Sequence, residues 1–304
     1  MATLRELKAR IGSVASSEKI TGAMKMISSA KMHKAEQALR MLTPYRSQIE
    51  TIIANLLSAD VQFASPLLES REVHTIALVV MGSDDGLCGA YNVNIYKQVI
   101  AKLKELAEAH PAASIVLLPV GSKIAKQVVK LGNSALTAEL GINARVSIDD
   151  NTGIDSKANE AAIKTFAATV RDRFIAGTYD LVVSLSTHFY SVSRQRIESL
   201  QLLPVEAASL EGKAGGAGVT IKPYIFEPSP EAIVNSVMPL FQLAVMQDLF
   251  TQNSASEQAA RVMAMQSAND NAKKLLEQLQ LEYNKLRQQS ITNELLDIVG
   301  GQVR

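Results

Sequence analysis

Two long stretches of the chain repeat their apolar residues at alternating spacings of three and four, and short apolar runs lie between them. From Glu231 to Gly300 no glycine intervenes before Gly300, and Pro239 is the one proline. Ser229 as N-cap, Pro230 at the first helical position and Glu231 beside the positive dipole end predict a helix start there. About 60 unbroken residues at about 1.5 Å each make a rod of about 90 Å. A lone helix of that length needs a partner. Val262, Met265, Asn269, Ala272, Leu276, Leu279, Tyr283 and Leu286 form an a/d seam, which predicts a left-handed coiled coil. Asn269 is its polar member, a residue type that fixes register. Ser290, Asn293 and Asp297 continue the spacing but are polar, so the seam ends near Leu286. Ile291, Leu295, Ile298 and Val299 carry the helix onward, so the tip is expected to leave the coiled coil and meet something else.

The second rod runs from Thr3 to about Ser58. Thr3 and Glu6 form a capping-box pair. Its seam is read as Thr21, Met24, Ser28, Lys31, Ala35, Ala38, Leu42, Tyr45, Ile49, Ile52 and Leu56. Ser28 and Lys31 weaken the lower half, and Pro44 is expected to kink or break the helix. The helix is basic: Lys8, Arg10, Lys19, Lys25, Lys31, Lys34, Arg40 and Arg46 stand against Glu6, Glu18 and Glu36. A solvated face accounts for such a run on composition alone.

Between the rods the period changes. His74–Met81, Ser114–Val120 and Tyr179–Ser186 read as buried strands, with a weak strand near Ala144–Ile148 and an edge strand over Arg194–Val205. Asn92–Ala109, Ser122–Leu131 and Asp155–Ile175 read as helices, and Val219–Phe226 as a further edge segment. Alternating strands and helices predict a mainly parallel, Rossmann-like α/β unit. The expected organisation is a terminal helix at 1–59, an α/β domain at 73–206, a loop and edge segment at 207–229, and a second terminal helix at 230–304. Flanking one globular unit, the two helices can pair only as an antiparallel coiled coil. The fold class is thus α/β plus a long antiparallel stalk.

Composition narrows the chemistry. A formal net charge of +1 gives no nucleic-acid footprint. One cysteine, Cys88, excludes an intrachain disulfide and a cysteine-based zinc site. No uninterrupted apolar run reaches a membrane span, and the charged first residues Arg5, Glu6, Lys8 and Arg10 do not read as a signal peptide. The best enzyme-like feature is the turn Gly82-Ser-Asp-Asp-Gly-Leu-Cys-Gly89, between a strand and a helix where α/β folds bind phosphate. It lacks the Lys-Ser/Thr of a P-loop and the dinucleotide spacing, and Asp84 and Asp85 would repel phosphate. A tight turn with Asp or Ser capping is the simpler reading. Cys88 at a helix start could be an activated thiol, or a small packed side chain. His33, His74, His110 and His188 have no metal spacing. Catalytic, cofactor and metal residues are therefore not assigned.

The stretch Ser256–Gly301 strongly resembles the gamma subunits of F-type ATP synthases. Their pattern Ile/Val-Thr-x-Glu-x-x-Asp/Glu-x-x-x-Gly-Ala is met by Ile291, Thr292, Glu294, Asp297 and Gly301, with Gln302 in place of Ala. Glu18–Ala35 and Ser83–Asn92 resemble the family too, with Asp85 where Arg is usual and Ala90-Tyr91 in place of Gly-Leu. The resemblance covers the whole chain. It implies an asymmetric shaft inside a ring of alpha and beta subunits, with the α/β domain as a foot on the membrane c-ring beside the epsilon subunit. It implies no catalysis by the chain itself, and no direct membrane span. Ring contacts carry over to Met24 and Lys25 on the first helix and to Arg287, Gln288, Thr292 and Glu294 on the last. The implied location is peripheral, on the cytoplasmic face of a bacterial inner membrane. Two other classes stay open from the residues: a coiled-coil scaffold, which predicts a homodimer, and a nucleotide-dependent α/β enzyme, which predicts nucleotide binding.

Overall fold

In the computed structural model, which describes residues 3–58, 65–149, 154–205, 227 and 229–301, each heptad stretch is one unbroken helix. α1 spans Leu4–Ser58 and runs through Pro44 without a break. The Glu6 carboxylate accepts from the Thr3 N–H at 2.8 Å and the Thr3 hydroxyl accepts from the Glu6 N–H at 3.3 Å, the predicted reciprocal cap. The last helix, here α6, spans Pro230–Gly301, and the Ser229 hydroxyl accepts from the Ala232 N–H at 3.2 Å. The two lie antiparallel. Asn269, midway along α6, donates to the Glu18 carbonyl near the start of α1 at 2.7 Å, while Asp248 nearer the foot pairs with Arg46 at 2.6 Å.

On α6 the predicted seam is the observed one. Val262, Met265, Asn269 and Leu279 are buried, and Ala272, Leu276, Tyr283 and Leu286 are half-buried. On α1 half of the predicted seam is displaced by one residue. Thr21, Ser28, Ala35, Leu42 and Ile49 face inward as expected, but their seam partners are Lys25, Met32, Leu39, Arg46 and Ile53. Lys31, Tyr45 and Ile52 are exposed, and Met24 and Ala38 lie on the flank, half-buried. The Leu56 side chain lies outside the described residues. Both phases carry apolar side chains, so apolarity alone could not choose. Arg46 is tolerated in the seam because Glu50 and Asp248 neutralise it, at 2.8 and 2.6 Å.

The head is a five-stranded sheet in the order β3-β2-β1-β4-β5. β1 (Thr75–Met81), β2 (Ser114–Val120), β3 (Val146–Ile148) and β4 (Leu181–Ser191) are parallel, and β5 (Arg194–Leu203) pairs antiparallel with β4 at the edge. β4 outruns its predicted end because it continues into a hairpin with β5. One face is covered by α2 (Tyr91–Ala109) and α3 (Ser122–Val128), through Ile95, Val99, Leu103 and Ile124. After α3 the chain tightens into a 3₁₀ turn over Val129–Gly132, so the predicted helix to Leu131 is shorter. A short α4 (Ser134–Glu139) follows, capped by Asn133 and not foreseen. The other face packs on α5 (Glu160–Ile175), the foot end of α1 and the first turns of α6, through Phe166, Ile53, Met246 and Phe250. Asn159 caps α5, so this helix begins later than predicted. The predicted segment Val219–Phe226 lies outside the described residues. α6 holds one 18-residue window of mean hydropathy 1.3 within Glu231–Ile298, apolar and long enough to cross a bilayer. The sequence reading, which counted uninterrupted apolar residues, found no such run. Over half of that window, 56%, is buried inside the protein, so packing on the head and α1 accounts for its apolarity.

Candidate partner interface

The glycine-rich turn after β1 is closed by the protein's own groups. Asp84 accepts from the Ser122 N–H through one oxygen, and from the Ser156 N–H and hydroxyl through the other, each at 2.8 Å. Asp85 pairs with Lys157, whose ammonium holds its carboxyl below the usual range. A Cβ at Gly82 would stand 2.4 Å from the Ile124 Cβ, so the backbone there is already at closest approach. From α6, Asn253 donates to the Gly82 carbonyl at 2.8 Å and accepts from the Tyr91 phenol at 2.8 Å. Arg261 donates to the Gly86 carbonyl at 3.2 Å, the Asp85 carbonyl at 3.4 Å and Glu257 at 2.7 Å. Glu257 and Arg261 are 2% and 6% exposed. Burial pushes the Glu257 carboxyl above its usual range, and the guanidinium draws it back. The turn thus fastens the head to the shaft. Arg261 is committed to two carbonyls and a carboxylate and Lys157 to Asp85, and the carboxylates of Asp84, Asp85 and Glu257 around the turn disfavour a phosphate. Cys88 is buried and its thiol is pushed up by desolvation, the opposite of an activated nucleophile.

The predicted contact residues fall at two places on the stalk. Lys25 is half-buried in the seam and Met24 half-buried on its flank, with Lys19, Lys31 and Lys34 exposed around them. Arg287, Gln288, Thr292 and Glu294 are all exposed near the end of α6. The Thr292 hydroxyl donates to the Gln288 carbonyl at 2.9 Å, and Ser290 donates to Glu294 at 3.3 Å, so these groups are held by their own helix. Asn269 lies against Glu18 and Thr21, so at about 1.5 Å per residue Met24 stands about 30 Å from Arg287 along the axis. The structure does not bring the two sets together; a partner would have to be long or surround the shaft.

The same register explains why the seam stops. An equal rise on both helices brings Leu4 level with about residue 285. Beyond it, among the described residues, α6 runs alone for about 24 Å to Gly301. Every side chain from Ile291 to Ile298 is exposed, including Ile291, Leu295, Leu296 and Ile298. The Val299 side chain lies outside the described residues. Ile20, Met26 and Ile27 form a second exposed apolar set around Met24, which sequence reasoning passed over. Their signal was present, as large apolar residues off the seam phase on a charged helix. Exposed apolar side chains in such numbers mark interaction surfaces.

A family model described as ATP synthase matches residues 3–303. ATP synthase gamma chains of Phocaeicola vulgatus and Parabacteroides distasonis are 39% and 38% identical over 304 and 301 residues, covering 99% of this chain and 99% and 98% of theirs. Among solved structures, a chain of the Euglena gracilis mitochondrial ATP synthase (OSCP/F1/c-ring, rotational state 3) superposes with a TM-score of 0.61 at 18% identity, over 99% of this chain and 93% of that one. A chain of the rotor of the same enzyme, in rotational state 1, gives 0.56 at 19% identity, over 95% and 98%. These structures share the fold: two long terminal helices packed around a central α/β sheet.

Proposed function

The chain belongs to the ATP synthase gamma chain family, and on that premise we propose that it is the central shaft of a bacterial F-type ATP synthase. In this reading the α/β head rests on the c-ring beside the epsilon subunit, on the cytoplasmic face of the inner membrane. The stalk enters the ring of alpha and beta subunits. The observation that carries it is the end of α6, which among the described residues is a single helix exposed on every side, with Ile291, Leu295, Leu296 and Ile298 over about half of its circumference and polar residues over the rest. A two-stranded coiled coil has no use for such an end, whereas a surrounding collar can contact every side of it.

The chain performs no catalysis of its own in this scheme. An asymmetric helix pair cannot meet several identical partners in the same way, so each orientation favours a different partner conformation. Turning the shaft then cycles the beta sites through their affinities, and ATP hydrolysis drives the same cycle backwards. Met24, Lys25, Arg287, Gln288, Thr292 and Glu294 are the proposed ring contacts. The basic α1 face supplies long-range attraction to an acidic partner. The clamp at the Gly82–Gly89 turn supports the reading, because torque must pass from head to shaft without slip.

The test is rotation. The chain is assembled with the alpha and beta subunits of its own organism, and a probe is fixed to the head through Lys126→Cys on α3. ATP should drive stepwise rotation in one direction. An assembly that hydrolyses ATP with a stationary head overturns the proposal.

A further inference from the structure

A cavity of about 480 Å³ opens where α1, the entry to α5 and α6 meet. α1 contributes Lys31, Lys34, Ala35 and Ala38, one helix face at spacings of three and four. α6 contributes Phe250, Ser254 and Gln258, again a single face, and Ile163 of α5 adds to the apolar side. The polar lining holds donors without acceptors. Gln258 is 5% exposed, yet its amide makes no hydrogen bond among the described residues. A buried amide without a partner is costly, and a leucine would fill its place without that cost. Ser254, one turn away, is half-buried, and its hydroxyl also has no partner among the described residues. Lys31 and Lys34 form no ion pair among the described residues. The other polar groups of the wall are taken, and with them the carboxylates of the neighbouring turn. Lys157 pairs with Asp85, the Ser156 hydroxyl donates to Asp84, and the Thr251 hydroxyl donates to the Gln247 carbonyl. Among the described residues no carboxylate lines the cavity.

We propose that this cavity binds a small organic phosphate. Its oxygens accept from the Lys31 and Lys34 ammonium groups, the Ser254 hydroxyl and the Gln258 amide. Its apolar body lies against Ala35, Ala38, Ile163 and Phe250. Charge decides between ligand classes. A phosphate monoester near pH 7 carries a charge of about −1.5 to −2 and three acceptor oxygens, which matches two ammonium groups. A carboxylate carries only half the charge that the two cations call for. A neutral molecule leaves both unpaired, and a cation is repelled. Bound there, the phosphate ties α1 to α6 next to the clamp. The site belongs to the single chain and goes beyond the rotary reading, which does not depend on it.

The experiment is calorimetric titration of the purified full chain with phenyl phosphate, benzoate and inorganic phosphate. Ionic strength is held fixed, so that general attraction to the basic α1 face is screened equally. Phenyl phosphate should saturate a single site and bind at least about tenfold tighter than either benzoate or inorganic phosphate. Gln258→Leu removes the amide at nearly unchanged volume, and Lys31→Ala with Lys34→Ala removes the cations. Each should weaken phenyl phosphate about tenfold, while Lys126→Ala on α3 should leave it unchanged. No saturable binding to the parent chain overturns the proposal. So does equal binding of benzoate, which would remove the need for a phosphate, or of inorganic phosphate, which would leave the apolar wall unused. So does binding indifferent to the lysine pair. Both lysines are exposed, so that variant carries the test even if Gln258→Leu fails to fold. Each of these failures leaves the rotation of the assembled complex as a separate measurement.

Discussion

Arg261 is a buried cation with one buried counter-charge, Glu257, and two carbonyls of the turn after β1. Removing it leaves Glu257 in a dry site with no cation in contact. Breaking a buried pair in this way costs about 3–5 kcal/mol. The sign with pH follows from the carboxyl. Its folded-state value lies above its ordinary one, so the folded protein takes up that proton first as pH falls. Charging Glu257 therefore opposes folding above its ordinary range, and more so without Arg261. Urea titrations of Arg261→Ala against the parent should show the full loss near pH 8 and a smaller one toward the ordinary carboxylate value of 4.5. Asp85, which Lys157 chiefly and Arg261 in part hold below its ordinary value, stays charged across this window, so its share of the loss is nearly the same at both pH values. A loss of the same size at both pH values would mean that Glu257 is not the group left stranded. The turn itself was legible as a capped strand-to-helix connection. Its fastening was not, because Arg261 stands 175 residues from Gly86 and no local pattern links them.

At the scale of elements, both stalk helices, their caps and the α6 seam were legible, and one of two α1 phases was not. Met24, Ala38, Tyr45 and Ile52 made one phase apolar; Met32, Leu39 and Ile53 did the same for the other, at the cost of Lys25 and Arg46. What decides is across the stalk: Asp248 pairs with Arg46, and Asn269 bonds to the Glu18 carbonyl. A paired alanine scan separates the phases. Met32→Ala and Leu39→Ala should each destabilise by about 2–4 kcal/mol, within the range for large buried side chains. Lys31→Ala and Tyr45→Ala, at exposed positions, should stay within about 0.5 kcal/mol. Thermal or urea melts of the four variants check this, and the reverse ranking would restore the phase read from apolarity alone. In the head, β1, β2 and the β4–β5 pair were visible as apolar runs. The short α4 and the late start of α5 depend on Asn133 and Asn159, single capping residues among many polar ones.

At the scale of the whole molecule, the stalk is a two-helix rod that becomes a one-helix rod where α1 runs out. Stability and function should therefore separate at the tip. Residues after Ser290 make no buried contact: every described side chain from Ile291 to Ile298 is exposed. Arg287 and Gln288 are exposed as well, and neither forms an ion pair or side-chain hydrogen bond among the described residues. At about 100° per residue, Arg287 and Glu294 share one face while Gln288 and Thr292 lie about 100° and 140° round from it, so the four together cover about half of the helix. Arginine contacts to carboxylates across a bearing between tip and ring are charge-assisted and depend on orientation. Truncation after Ser290 should leave the melting temperature of the free chain within a few degrees, since it removes no packed layer. The same truncation should weaken retention of the chain in the alpha–beta ring. Arg287→Ala and Gln288→Ala should leave the free chain's helicity unchanged and lower ATP turnover of the assembled complex several-fold, in proportion to about 1 kcal/mol per lost contact. Paired melts of the free chain and turnover of the complex carry the test. If truncation unfolds the free chain, or both point variants turn over at the parent rate, the tip is a structural helix end and the bearing must be sought at Ile20, Met26 and Ile27.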